Sequence, residues 1–316
     1  MKYSYLDYQL IKLHLYILLG IVLFIIFVSI LFISHSEDVK VAFIGDQGLG
    51  KNAEAVLQLI KDEKADMVIH SGDFDYEDDP DAWEAMLDKV LGSTFPYFAS
   101  VGNHEEIKLN EYQHKLLKRY ENIEGAKCVG ELGIMSVCKY RGLFMIFTAP
   151  GIITHRHRNY DYSRYIKLAL DKVSPIWSIC SFHKNQALMQ TGGKDDETGW
   201  GVYEECRKGG AIIATGHEHA YSRTYLMDNF QTQSIASKSS TLKIDKGKTF
   251  AFVSGIAGYS IRHQVRDDNW WASIYTKNQG ADYGALFCSF KKRKADCYFK
   301  DISGNIPDEF TVINKI

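Results

Sequence analysis

A chain of 316 residues, 46% hydrophobic and 24% charged, has room for one large domain or two small ones around a sizeable core, and that composition excludes a disordered chain. The formal net charge of -2 supplies no strong field for nucleic acid, so no nucleic-acid partner is expected. Five prolines, with no low-complexity tract and no internal repeat, exclude long flexible linkers.

Residues 1–12 form a short polar segment carrying Lys2, Asp7 and Lys12. Residues 13–33 are apolar apart from His14, Tyr16, Gly20 and Ser29. A helix of that length spans roughly 30 Å, the thickness of a bilayer core. A soluble core helix is rarely apolar on every face. The run is long for a signal-peptide core, and no small-x-small cleavage site follows in Phe32-Ile33-Ser34-His35-Ser36. These features predict an uncleaved transmembrane anchor. Positive charge precedes it, and Glu37 and Asp38 follow. The positive-inside rule then places the N-terminus in the cytoplasm and the large domain on the extracytoplasmic or lumenal side. No Asn-x-Ser/Thr sequon helps with the compartment. Residues 34–38 read as a linker, and residues 39–316 as one catalytic domain.

Residues 39–44 are strand-like and end in Gly45-Asp46. Ala53, Val56, Leu57 and Ile60 have helical spacing within 51–64. Residues 66–70 are strand-like and lead to Gly72-Asp73, and Asp79-Pro80-Asp81 opens another helix, with proline suited to the first turn. A third strand over 95–101 leads to Gly102-Asn103-His104-Glu105, and a helix follows over 105–120. This alternation gives β-α-β-α layering with polar clusters at the carboxyl ends of strands, where sites of such folds collect. Residues 132–147 read as two strands around Lys139-Tyr140-Arg141-Gly142, and 154–158 as a loop rich in His and Arg. A helix over 162–173 precedes strands over 176–182 and 211–215, which end at His183 and His217. Strands over 250–254, 285–290 and 295–299 are expected to complete a second sheet. The fold class is α/β, two sheet halves with helices outside.

Six cysteines contain no C-x-x-C pair, which argues against zinc fingers and thioredoxin chemistry. Cys128/Cys138 and Cys288/Cys297 each flank a short hairpin, so cross-hairpin bridges and free buried thiols both remain open.

Five polar clusters thus follow apolar runs: Gly45-Asp46-Gln47-Gly48, Gly72-Asp73-Phe74-Asp75-Tyr76, Gly102-Asn103-His104-Glu105, Ser181-Phe182-His183 and Gly216-His217-Glu218-His219. Each alone is an ordinary turn or strand end. Together they offer carboxylate, amide oxygen, phenol and imidazole, and no thiol. Hard, highly charged cations prefer that set, and it suffices for two metals sharing one carboxylate. Such a pair polarises a phosphoryl oxygen and makes hydroxide available near neutral pH for in-line attack. His104, left without a metal, could then give a proton or hydrogen bond to the ester.

The ordered set GDQG, GDFDY, GNHE, a strand ending in His183, and GHEHAYSRT resembles the calcineurin-like metallophosphoesterase superfamily. Within it the set resembles the purple acid phosphatases. Gly48 stands where most of the superfamily has the His of Asp-x-His, and Tyr76 stands three residues after Asp73, as in the purple branch. The likeness runs over about 39–225. It implies a four-layer α-β-β-α sandwich. It implies a first metal held by Asp46, Asp73, Tyr76 and His219, and a second held by Asp73, Asn103, His183 and His217. His104 would be the catalytic histidine. A phenolate from Tyr76 suits trivalent iron, so Fe(III) with Fe(II), Zn or Mn is implied. The expected partner is a phosphorylated small molecule or protein, hydrolysed as a phosphomonoester by metal-bridged hydroxide. A phosphodiesterase or protein phosphatase on the same scaffold is the alternative. Two departures bear on the substrate pocket: Cys180 replaces the usual Val, and Lys184-Asn185-Gln186 replaces the usual continuation after His183.

Other features have blander readings. Residues 77–81 read as a solvated loop and helix cap rather than a calcium site. His155 and His157 read as a solvent-exposed loop, or as phosphate binders. Gly45-Asp46-Gln47-Gly48-Leu49-Gly50-Lys51-Asn52 nearly fits a P-loop, but Asn52 replaces the magnesium-binding hydroxyl. A nucleotide-binding protein and a non-catalytic, membrane-anchored binding protein are the remaining classes.

Overall fold

The computed structural model describes residues 12, 14, 16–21, 38–152, 160–173 and 175–316. Residues 1–37 and 38–316 form two compact units. In the first, residues 12, 14 and 16–21 are helical and exposed. Most of the anchor expected over 13–33 lies outside the described residues, and among those described no helix is long and apolar enough to cross a membrane. His155 and His157 also lie outside them.

In the second unit the strands are β1 (Val39–Ile44), β2 (Met67–Ser71), β3 (Tyr97–Ser100), β4 (Lys127–Glu131), β5 (Met135–Tyr140), β6 (Leu143–Thr148), β7 (Trp177–Ser181), β8 (Ile212–Thr215), β9 (Tyr221–Thr224), β10 (Leu226–Asn229), β11 (Ser234–Ser237), β12 (Thr241–Ile244), β13 (Ala251–Ser254), β14 (Trp271–Tyr275), β15 (Gly284–Phe290), β16 (Lys294–Asp301) and β17 (Asp308–Asn314). The helices are α1 (Lys51–Asp62), α2 (Pro80–Val90), α3 (Leu109–Glu121), α4 (Tyr162–Asp171) and α5 (Gly201–Lys208). One sheet has the order β12-β17-β16-β15-β1-β2-β3, the other β14-β9-β13-β8-β7-β6-β5-β4, and β10 pairs with β11 apart from both.

The strands β1, β2 and β3 are mutually parallel, as are β6, β7, β8 and β13. Parallel strands are covered on both faces, and their near-continuous burial fits that rule. Side chains of β6 show how the second sheet is shared. Leu143, Met145 and Phe147 enter the large core, while Phe144 and Ile146 join the smaller one with Ile166 of α4 and Val202, Tyr203 and Cys206 of α5. Between the sheets, rings meet in pairs: Phe43 with Phe252, Trp177 with Phe290, Tyr221 with Phe299. Helix α1 turns Ala53, Val56, Leu57 and Ile60 inward, as their spacing requires. Pro80 occupies the first turn of α2, where the Asp79 carboxylate accepts the Ala82 N–H at 2.9 Å.

Two expectations are corrected. The helix expected over 105–120 begins at Leu109, because Glu105 is drawn inward to bind backbone amides. The strands β15 and β16 complete the first sheet, not the second: β15 runs antiparallel to β1, and only β13 joins the second. The two strands expected over 132–147 are β5 and β6, and β4 pairs with β5 across the hairpin expected between Cys128 and Cys138, making a three-stranded meander. Disulfides Cys128–Cys138 and Cys288–Cys297 cross their hairpins, so those thiols are not free. Cys180–Cys206, which ties β7 to α5, has no sequence signal.

The tail of GHEHAYSRT clamps the two sheets. Arg223 on β9 reaches Asp308 on β17 with Nε to Oδ2 at 2.7 Å and a second bond at 2.8 Å, and the Tyr221 hydroxyl donates to the same carboxylate at 2.6 Å. All three side chains are buried. Asp308→Ala leaves Arg223 buried without its counter-charge and is expected to lower unfolding stability by about 3–5 kcal/mol in a urea titration. A loss under about 1 kcal/mol would show that the clamp contributes little.

Glu63 gathers Lys40, Lys300 and Tyr298. Burial opposes its charge, but hydrogen bonds from those three groups outweigh burial and lower its carboxyl to about 2. The depressed value means that its contribution is present above the ordinary glutamate range and fades as pH falls toward 2. Glu63→Gln is therefore expected to flatten the fall of Tm between about pH 4.5 and 2; an unchanged slope would contradict this.

Candidate metal centre

The ends of β1, β2, β3, β7 and β8 lie together. Hydroxyls of Ser71, Ser100 and Ser181, the last residues of three of these strands, meet at 3.1 Å. Just beyond them the chain is held in a rare conformation. Asp46, Asp73 and His217 have φ of 58°, 58° and 68°. A non-glycine residue there costs of order 1–3 kcal/mol, and such strain collects at functional sites.

The side chains form two clusters with one shared atom. In the first, the Tyr76 hydroxyl lies 3.1 Å from Asp46 Oδ1, 3.2 Å from Asp73 Oδ2 and 3.3 Å from His219 Nε2. In the second, His183 Nε2 lies 3.1 Å from Asp73 Oδ2 and 3.0 Å from His217 Nδ1. Asp73, His183 and His217 form a buried trio whose ligand atoms lie within 4.8 Å of one another. Asp73 Oδ2 therefore belongs to both clusters. Asn103 follows β3, and its buried Oδ1 has no hydrogen-bond partner among the described residues. His104 is half-buried; its N–H donates to Asp73 Oδ1 at 3.1 Å and its ring lies 4.2 Å from that of Tyr76.

The donor set fits cations. The outer nitrogens of the histidines are already committed: His183 Nδ1 to the Ser71 carbonyl at 2.8 Å, His217 Nε2 to Glu197 at 2.6 Å and His219 Nδ1 to the Ser260 hydroxyl. The carbonyl and the carboxylate can only accept, which leaves the inner nitrogens of neutral His183 and His217 as lone pairs, while the Ser260 hydroxyl can pair with His219 as donor or acceptor. Two bare imidazole nitrogens at 3.0 Å repel each other unless positive charge lies between them. Protonation supplies one such charge: burial opposes it at His183, but Asp73, Asp46 and the Ser71 carbonyl together outweigh burial and raise His183 to about 9, while burial lowers His217 to about 4. Burial also opposes charge on Asp46, but His219 and His183 hold it below the usual carboxylate range. Burial and the charges of Asp46 and Asp73 push the Tyr76 phenol well up.

Sequence reasoning named the donors but missed their supports. Buried Glu105 accepts the N–H groups of Asp73, Phe74 and Gly102 at 3.0, 2.7 and 2.5 Å, so one carboxylate holds two ligand loops in register. Its place in Gly102-Asn103-His104-Glu105 was the available signal. Glu197 bridges His217 and Lys184, and Asn185 joins the Gly216 carbonyl to the Tyr203 hydroxyl at 2.6 and 2.9 Å. These contacts come from the stretch after His183 that departs from the familiar pattern. The P-loop resemblance fails on geometry. The N–H groups of Asp46, Gln47 and Gly48 already donate to the carbonyls of Gly72, Asp73 and Phe74, so they are not free to cradle a phosphate.

Residues 39–221 match the family model of the calcineurin-like phosphoesterases, which is more than half of the chain. The chain belongs to the calcineurin-like phosphoesterase family. Among solved structures, it is similar to a purple acid phosphatase, PPD1, from yellow lupin (Lupinus luteus) seeds, with TM-score 0.65 and 18% identity over 89% of this chain and 54% of that one. The phosphoesterase thus spans about half the length of the lupin protein. It is similar to GAP50, described as the anchor in the inner membrane complex of Plasmodium, with TM-score 0.59 and 13% identity over 88% and 90% of the two chains. It is also similar to PhoD, with TM-score 0.51 and 12% identity over 87% and 68%. These likenesses are of fold. No curated protein matches the chain.

A Cβ on Gly102 would lie 2.1 Å from Asp73 Oδ1. Gly102→Ala must displace either the shared carboxylate or the Asn103 loop. It is expected to lower bound metal, measured by elemental mass spectrometry, severalfold below wild type. Equal metal content would show that the loop yields without disturbing the donors.

Proposed function

We propose that this phosphoesterase is a membrane-anchored phosphatase with a dinuclear centre, acting on phosphomonoesters. One observation carries the reading: the Asp73 oxygen is common to two donor clusters, each made of groups that suit hard cations. Asp46, Asp73, Tyr76 and His219 would hold one metal, and Asp73, Asn103, His183 and His217 the other. A bound pair would polarise a phosphoryl oxygen and make hydroxide available near neutral pH. Tyr76 favours a trivalent first metal, so the proposed pair is Fe(III) with Fe(II), Zn or Mn.

The remaining steps fall to the chain itself. Asp73 spends its second oxygen on the His104 N–H, which fixes the His104 backbone beside the centre. The imidazole, packed against Tyr76, is placed to hydrogen-bond the ester oxygen and give it a proton as it leaves. Glu105 and the glycines hold the loops still, so no reorganisation is needed when charge develops. The apolar run 13–33 supports an anchor, with the catalytic domain on the extracytoplasmic or lumenal side.

His104→Ala is expected to lower kcat for a phosphomonoester by about 10²–10⁴-fold with metal content unchanged; unchanged kcat would remove His104 from the mechanism. Tyr76→Phe is expected to abolish visible phenolate-to-iron absorption, and a colourless wild type would argue for a different first metal. The fold shared with the Plasmodium anchor supports a second reading, a non-catalytic membrane scaffold. Metal-replete wild-type protein without turnover on mono- or diesters would favour it.

A further inference from the structure

The rim of the donor cluster carries positive charge that its surroundings do not answer. Lys194 Nζ donates to the His217 carbonyl, and Arg262 Nη1 lies 3.5 Å from the same oxygen. An ammonium and a guanidinium thus converge on one neutral acceptor, the backbone of a proposed metal donor. The Arg262 N–H also donates to the His219 carbonyl at 2.8 Å, so this residue is tied to both histidine positions. Two cations held so close repel each other, and a carbonyl dipole offsets only part of that. Both residues lie outside the five polar clusters that point to the metals.

The loop that presents Lys194 is built firmly. Arg266 gives Nη1 to the Gly192 carbonyl and Nη2 to the Lys194 carbonyl, and Gln190 Nε2 donates to the Lys194 carbonyl at 3.1 Å. A Cβ on Gly192 would lie 2.1 Å from Glu218 Oε2, so the loop rests directly on that carboxylate. Glu218 is buried, and neither of its oxygens has a hydrogen-bond partner among the described residues. Its ion pair there is with Arg262 Nη1, 3.6 Å from Oε2. Lys194 joins no ion pair among the described residues. Lys194 and Arg262 therefore bring two positive charges and Glu218 one negative, which leaves one positive charge at the rim. The Arg262 side chain is 41% exposed, so an incoming anion can reach it.

We propose that Lys194 and Arg262 form a carboxylate-recognition site beside the metal centre, which selects phosphomonoesters whose leaving group carries a carboxylate. The substrate class rests on the phosphatase reading, and the anion site rests on the loop geometry. One unanswered positive charge matches a carboxylate better than a second phosphate. A planar guanidinium also pairs with a carboxylate through two parallel N–H···O bonds, and the ammonium adds a point charge beside it. Glu218 is the positioning residue, holding the guanidinium from the buried side. The cation pair and the donor cluster share the His217 backbone, so a short substrate reaches both.

The test titrates the metal-replete, full-length chain in nonionic detergent with two unreactive ligands, by calorimetry. Phosphonopropionate has a carboxylate at its chain end; propylphosphonate has the same length and none. Phosphonopropionate is expected to bind at least about tenfold more tightly, the effect of one charge-assisted contact. Arg262→Gln and Lys194→Gln are each expected to cut that preference at least about fivefold, and Arg262→Lys, which keeps the charge, to retain more of it than Arg262→Gln. Equal binding of both ligands by the wild type overturns the proposal, whether or not a variant folds. A preference that survives both glutamine variants also overturns it, because the metals would then be holding the carboxylate. Turnover of phosphoglycolate and ethyl phosphate is read in parallel. A wild type that prefers phosphonopropionate but hydrolyses neither ester overturns the phosphatase reading and with it the substrate class, while the carboxylate site stands.

Discussion

The structure depends on one carboxylate oxygen having to serve two sets of neighbours. Asp73 Oδ2 lies beside the Tyr76 hydroxyl on one side and His183 Nε2 on the other. To place it there the chain accepts a left-handed aspartate after β2, flanked by a left-handed Gly72. It also brings Gly102 so close that no side chain fits between. Loop strain of this kind persists only where the surroundings over-determine it. Here the surroundings are two parallel sheet segments whose ends meet at three serine hydroxyls, and one buried glutamate that takes three backbone N–H groups. The rigid layers allow the loops to be strained, and the strained loops bring the donors together.

The electrostatics follow from the same crowding. Two carboxylates, a phenol and three imidazoles, two of them with inward lone pairs when neutral, are mutually repulsive when buried, and burying an unpaired charge is costly. The fold answers on the outside of the cluster, where a carbonyl, a carboxylate and a hydroxyl each take one outer imidazole nitrogen. Inside, it leaves room for positive charge. The close approach of His183 Nε2 to His217 Nδ1 and the Asn103 oxygen left without a partner among the described residues are two expressions of that one demand.

Much of this was legible in the sequence, for a physical reason. Parallel strands are short apolar runs, and the polar residues that interrupt them at their carboxyl ends stand out: Asp46, Asp73, Asn103, His183 and His217 are each the first reactive side chain past such a run, and His219 follows two residues after His217. Long amphipathic helices such as α1 declared themselves by spacing. The short strands did not. Residues 221–224 are buried at every position and carry no alternation, and β15 has no local feature that says which sheet it will join. Glu197 and Ser260 were invisible as supports because their role is set by contacts with residues far away in sequence. Arg223 and Tyr221 were read as part of a motif, whereas their contacts make them a clamp between the sheets.

The account stands most directly on whether two cations share Asp73. Anomalous X-ray diffraction from metal-replete crystals, collected at the absorption edges of iron, zinc and manganese, measures this. The account predicts two peaks roughly 3.5–4 Å apart, with the Asp73 carboxylate between them, Tyr76 and His219 beside one, and Asn103, His183 and His217 beside the other. A single peak, or a pair that does not include Asp73, would contradict it.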